Sequence, residues 1–270
     1  MLKILSWWFS FFLPFAGLQS CGTEYRDIST ENGRNAVIEK AENFLTQGQC
    51  NDAIDTLQPL YDSIYRNHKT RMVYASAYAC RGGFNFAALI ATLRDASGND
   101  IWSLLIASNY SDSRTNGKTT AFIDSAGIIR TTSTQGSDTP NYWNALYRPA
   151  DANTYMIFIQ AMLIASILSP PVMGDANSVN GNQRRDILVA TDPNDTEKCR
   201  VQVALATIRN CLTVVSTGTA IDRMTTAIDA VCAVGGVTCA TNMNPDGCAA
   251  SDRLAGETII TAIESIWVGP

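Results

Sequence analysis

Ala41-x-x-Phe44-Leu45-x-x-Gly48-x-Cys50-x-x-Ala53-Ile54-x-x-Leu57 is followed by Ala75-x-x-Tyr78-Ala79-x-x-Gly82-x-Phe84-x-x-Ala87-Ala88-x-x-Ala91, and the second run repeats the first at an offset of about 34 residues. An offset of that size marks a helix–turn–helix unit stacked on its own copy. Within the first run, apolar residues at Val37, Ile38, Ala41, Phe44 and Leu45 form one face of a helix. Gly48 suits the left-handed residue that ends such a helix. Asn51 is placed to cap the next helix, whose stripe is Ala53, Ile54, Leu57, Leu60, Tyr61 and Ile64. Pro59 lies inside that stripe and should mark its weakest point. Arg66 to Lys69 reads as the connection, and the second hairpin runs from about Thr70 to Leu93 before the stop at Asp95-Ala96-Ser97-Gly98-Asn99.

Beyond Asn99 the period dissolves, but helical patterning does not. Ser108 to Asp138 is an irregular, polar excursion with one weak helix around Ala121-Phe122-Ile123 and Ile128-Ile129. Thr139-Pro140 leads into a short helix to Leu146, and Asn153 caps the most apolar segment, Thr154 to Leu168. That segment is hydrophobic nearly all round and short for a membrane span, so it is expected to be the central buried helix. A long polar loop, Val172 to Pro193, carries the pair Arg184-Arg185. Helices are then expected from Thr196 to about Val215, from Thr219 to Val234 and from Ser251 to Trp267. The fold class is all-α: helical hairpins over residues 33–95, and an irregular helical region over 96–270 that completes the same core.

The start of the chain has its own logic. Lys3 precedes an apolar run from Ile4 to Ala16, too short for a transmembrane helix but right for the hydrophobic part of a secretory signal. The run closes in Leu18-Gln19-Ser20-Cys21. This resembles the lipobox of bacterial lipoproteins, in which the cysteine is lipidated and becomes the first residue of the mature chain; only Gln19 departs from the usual small or branched residue. The resemblance implies a signal peptide over residues 1–20, a lipid on Cys21, and a short polar tether over residues 21–32. Gly22, where an aspartate would favour inner-membrane retention, leans the expectation toward the outer membrane, facing the periplasm. An ordinary signal peptide, with Cys21 as a disulfide partner, is the alternative.

Seven further cysteines remain. In an oxidising compartment they should form disulfides. Successive helices of stacked hairpins run antiparallel, which sets Cys50 beside Cys80 and predicts a bond between them. Of the other five, Cys211–Cys232 would join two helices and Cys239–Cys248 would staple a loop, which leaves one thiol over.

Chemistry is not advertised. The single histidine, His68, falls in a predicted loop, and no G-x-S-x-G, S-x-x-K or Gly-rich phosphate loop occurs. Asn242-x-Asn244-x-Asp246-Gly247 begins like a calcium loop but has one carboxylate and Arg253 in place of the closing glutamate. No catalytic role, metal or cofactor is expected. A net charge of −5 without any basic run argues against nucleic acid. Tyr65 and Tyr74 are candidates for a binding groove, whereas Tyr61 and Tyr78 are read as packing hairpin on hairpin. Arg184 and Arg185 offer a clamp for an acidic partner, or are simply a solvated part of their loop.

Residues 35–93 resemble tetratricopeptide repeats, best at Gly48, Ala53, Gly82 and Ala87, with most consensus aromatic and proline positions missing. Together with the lipobox, the resemblance is to TPR-like helical lipoproteins of bacterial envelopes. It implies a lipid-anchored scaffold that binds another envelope protein without catalysis. One branch of such lipoproteins is associated with TRAP transporters and assists solute uptake as an oligomer, so a solute-binding accessory is the alternative and homo-oligomerisation stays open.

Overall fold

In a computed structural model the chain is described over residues 27–84, 117–130, 145–168, 195–215, 225–226 and 228–230. All regular structure among these residues is helical: α1 (Glu31–Thr46), α2 (Cys50–Tyr61), α3 (His68–Arg81), α4 (Lys118–Arg130), a 3-10 turn (Ala145–Tyr147), α5 (Ala150–Leu168) and α6 (Asp195–Val215).

α1 begins four residues before the sequence pattern places it, because its start is built by polar side chains that carry no hydrophobic period. The Thr30 hydroxyl caps the helix by accepting from the Gly33 N–H at 3.0 Å, and itself donates to the Asp27 carbonyl at 3.0 Å. Arg34 reaches back to the Ile28 and Ser29 carbonyls at 3.2 and 2.9 Å. Glu31 and Asn32 therefore belong to the first helical turn, not to a tether.

α1 and α3 end in the same way. The Gln49 N–H returns to the Phe44 carbonyl and the Gly48 N–H to that of Leu45; the Phe84 N–H returns to Ala79 and the Gly83 N–H to Cys80. Each is the paired closure that needs a left-handed residue just beyond the helix, supplied by Gly48 (φ 72°) and Gly83 (φ 89°). The residue matching Gly48 is thus Gly83, one position later than the sequence offset suggests. Gly82 is an ordinary right-handed cap, held to glycine by a close approach: a Cβ there would lie 2.8 Å from two ring carbons of Phe122 in α4.

α2 starts at Cys50 with no side-chain cap, so Asn51 is inside the helix and does not cap it. It stops at Tyr61, two residues beyond Pro59, and Ile64 lies exposed in the connection and off the buried stripe. Asn67 then caps α3, its Oδ1 accepting from the Thr70 N–H at 2.8 Å. His68 consequently opens α3 and is not a free loop residue.

Contacts run down the chain in order: α1 on α2, α2 on α3, α3 on α4, α4 on α5 and α5 on α6. The pairings alternate in direction. Cys50 at the start of α2 is bonded to Cys80 at the end of α3, with Cα atoms 5.5 Å apart. The Ser125 hydroxyl of α4 donates to the Ala75 carbonyl of α3 at 2.8 Å, while Arg81 at the end of α3 meets Asp124. Thr119 near the start of α4 is 3.1 Å from Ser166 near the end of α5. One apolar core threads all six helices, from Ile38 and Leu57 through Phe122 and Ile129 to Met156, Ile164 and Leu205. α4, expected as a weak helix in an irregular excursion, is a full member of that core. α5 is the buried central helix, as its apolar run predicts. It begins at Ala150, so Asn153 lies within its first turn and is not its cap. No helix among the described residues is long and apolar enough to cross a membrane.

Candidate functional site

The polar side of this stack is concave. Five helices contribute residues at helical spacing to one groove of about 640 Å³. α2 supplies Gln58 and Tyr61, and α3 supplies Tyr74 and Tyr78. α4 supplies Asp124, Gly127 and Arg130, α5 Gln160 and Leu163, and α6 Arg200 and Val203.

The α2–α3 wall is aromatic and internally bonded. Tyr61 stacks on Tyr74 with centroids 4.4 Å apart, and Tyr74 meets Tyr78 edge-on at 5.2 Å. Such pairs add about 0.5–1.5 kcal/mol each beyond their buried area. Tyr74 is nearly inaccessible and forms the floor; its hydroxyl donates to Gln58 Oε1 and lies 3.4 Å from that of Tyr78. Burial, and then the neighbouring Tyr78 hydroxyl, push the Tyr74 phenol far above its ordinary range, so it remains a donor. Gln58 in turn donates to Asp62 at 2.7 Å, which fixes its amide. Arginines close the outer sides of the rings: Arg66 lies over Tyr61 at 5.4 Å and Arg81 over Tyr78 at 4.4 Å.

The α4 and α6 residues of the groove carry charge. Asp124 is paired with Arg81 at 3.0 Å, and burial still holds its carboxyl above the ordinary value against the pull of that guanidinium. Among the described residues Arg130 and Arg200 are the cations that line the groove. Gln160, almost fully buried, makes one weak contact from its amide nitrogen to the Met156 sulfur at 3.5 Å. Among the described residues the groove thus pairs a hydroxyl- and amide-rich floor with two guanidinium groups against one carboxylate, and it gathers no nucleophile beside a base.

The sequence-predicted residues divide. Tyr74 is in the groove, but Tyr61 and Tyr78, read from sequence as packing residues, line it as well. Tyr65 does not; it lies at the end of the stack, with the Arg34 guanidinium 5.1 Å from its ring centroid. Arg184, Arg185, the loop from Asn242 to Arg253, Cys21, Cys232, Cys239 and Cys248 lie outside the described residues. Gln58, Arg130, Gln160 and Arg200 had no sequence assignment. Only Gln160 offered a signal, as an amide inside an otherwise apolar helix.

Two further expectations are corrected. Cys211 is a free, buried thiol, not a partner of Cys232: it faces the start of α5, where Arg148 Nη2 is 3.2 Å and Asn153 Oδ1 3.6 Å from its sulfur. Burial pushes this thiol up, against the pull of Arg148. Cys199, left over in the sequence pairing, is disulfide-bonded to a cysteine outside the described residues. His68 Nε2 lies 2.7 Å from Asp151 Oδ2 and so ties the start of α3 to that of α5. Among the described residues no three His, Cys, Asp or Glu side chains gather as a metal site.

Comparison of the chain with protein families, with curated proteins and with solved structures finds no match.

Proposed function

We propose that this chain is a lipid-anchored, non-catalytic binding protein of the bacterial envelope, built of degenerate tetratricopeptide-like hairpins, which holds an acidic segment of another envelope protein in the groove between α2 and α6. The lipobox ending in Cys21 supports the anchor, and the twin helix ends at Gly48 and Gly83 support the repeat. The observation that carries the binding role is the groove itself, to which five consecutive described helices contribute and whose described lining holds two arginines and one carboxylate. Neighbouring helices lie about 8–10 Å apart, so a ligand touching all five walls is extended. Recognition of carboxylates by guanidinium forks supplies the attraction.

The test is crosslinking in intact envelope membranes followed by mass spectrometry, with wild type beside Arg200→Glu. Arg200 is half-exposed and has no ion pair among the described residues, so the reversal should leave the melting temperature unchanged. Recovery of the crosslinked partner should fall at least tenfold. A partner recovered equally from both proteins removes the groove from the reading.

The groove volume favours a second reading, since about 640 Å³ is within the usual range for a small-molecule site. A solute-binding accessory of a transporter would carry its ligand through purification. Native mass spectrometry would then show a small added mass that Arg200→Glu abolishes.

A further inference from the structure

Among the described residues four large hydrophobic side chains are exposed: Ile64 at 91%, Leu146 at 70%, and Tyr65 and Tyr147 at 39% each. They come from two connections far apart in sequence, yet all four sit at one end of the stack. Ile64 and Tyr65 precede α3, and Leu146 and Tyr147 precede α5. The starts of those two helices are joined by His68 and Asp151 at 2.7 Å. The 3-10 turn is tied to α5 by the Asn153 amide, which donates to the Ala145 carbonyl at 2.8 Å.

The N-terminus leads to the same end. Arg34, in the first turn of α1, lies over the Tyr65 ring, and the same guanidinium holds the Ile28 and Ser29 carbonyls. The chain therefore enters the stack beside the exposed residues. Asp27 is six residues beyond Cys21, and six residues reach at most about 20 Å in any conformation.

We infer that this end is a membrane-facing surface: with a lipid on Cys21, Ile64 and Leu146 enter the interfacial layer of the bilayer, with Tyr65 and Tyr147 at headgroup level. The inference rests on the lipid-anchored reading and is independent of the groove. Two aliphatic side chains flanked by two tyrosines have the amphipathic make-up of an interfacial contact. Alone they bind a bilayer weakly, but a short anchor makes the contact intramolecular, so weak insertion suffices to orient the protein. The far end, with Gly48 and the Cys50–Cys80 bond, then points away from the membrane.

The test places the photoreactive residue p-benzoylphenylalanine at position 64, 146 or 47 of the full chain. Gln47, exposed at the far end of α1, is the control. The protein is extracted with its lipid, reconstituted into vesicles of phosphatidylethanolamine and phosphatidylglycerol at a ratio of about 3:1, and irradiated. Lipid adducts should form at positions 64 and 146 at least tenfold more often than at 47. Equal adducts at all three positions, or none at 64 and 146 in protein whose intact mass carries the lipid, overturn the inference. An intact mass without lipid on Cys21 overturns the anchored reading, and this surface with it. Protein adducts in place of lipid adducts, when the experiment is repeated in native envelope membranes, assign the face to a partner and also overturn it.

Discussion

Asp151 shows what a single residue contributes at the edge of this fold. It is largely exposed, and although desolvation raises its pKa, the His68 imidazole, joined by backbone N–H donors, outweighs that and leaves it below the ordinary carboxylate value. A carboxyl whose folded value is depressed stabilises the fold above its unfolded value, and the contribution is lost as pH falls through the folded value. Because the pair is largely solvated, the contribution is below about 1 kcal/mol. Asp151→Asn is expected to lower the urea midpoint at pH 7 by a small but measurable amount, and the gap should close only as pH falls below the ordinary carboxylate value and through the lower folded one. A gap undiminished at pH 2.5 would mean that the side chain acts through packing or capping instead. His68 illustrates the limit of reading a residue by its neighbours in sequence. Flanked by Asn67, Lys69 and Thr70, it has the surroundings of a loop; its partner is 83 positions away, and nothing in the sequence links the two.

At the scale of the helix, two glycines separate close approach from conformational need. At Gly82 an added methyl meets Phe122 at 2.8 Å, and Phe122 is itself fully buried with nowhere to yield. Gly82→Ala should cost about 1–3 kcal/mol, as other overpacking substitutions do. Gly127 lies inside α4 with nothing within 4 Å of its added Cβ, so Gly127→Ala should stabilise by about 0.5–1 kcal/mol through helix propensity alone. Chemical denaturation of both variants checks the signs, and equal effects would contradict the packing of α3 on α4. These elements also show where the sequence was readable. The apolar periods of α1 and α2, and the nearly unbroken apolar run of α5, placed those helices, because burial writes itself into spacing and length. Helix starts were read less well: Thr30 with Asp27, and Asn67 with Thr70, act through hydrogen bonds with no period, and Cys50 begins α2 without a cap. The groove was half legible for a similar reason. Its tyrosines fall on the patterned helices α2 and α3, but Arg130 and Arg200 come from segments with no such pattern, and only folding brings them into the same groove.

For the whole molecule the Cys50–Cys80 bond is the one covalent tie between described residues. It closes a loop of about 30 residues, worth about 3–4 kcal/mol in the chain-entropy account. Replacing both cysteines with serine should lower the unfolding free energy by roughly that amount, read as a lower urea midpoint with a slope unchanged or slightly raised as the unfolded chain expands. A reduced slope would instead report that α2 and α3 no longer unfold together with the rest. Each described helix packs on its neighbours in chain order, and this succession has a consequence for how the chain comes to be folded. Contacts between successive elements need no distant part of the chain, so condensation can start at one end and advance by accretion. A chain appearing from its N-terminus lays α2 on α1 and α3 on α2 before α4 exists. The Cys50–Cys80 bond can form at that stage, making the first three helices a fixed template on which the later ones assemble.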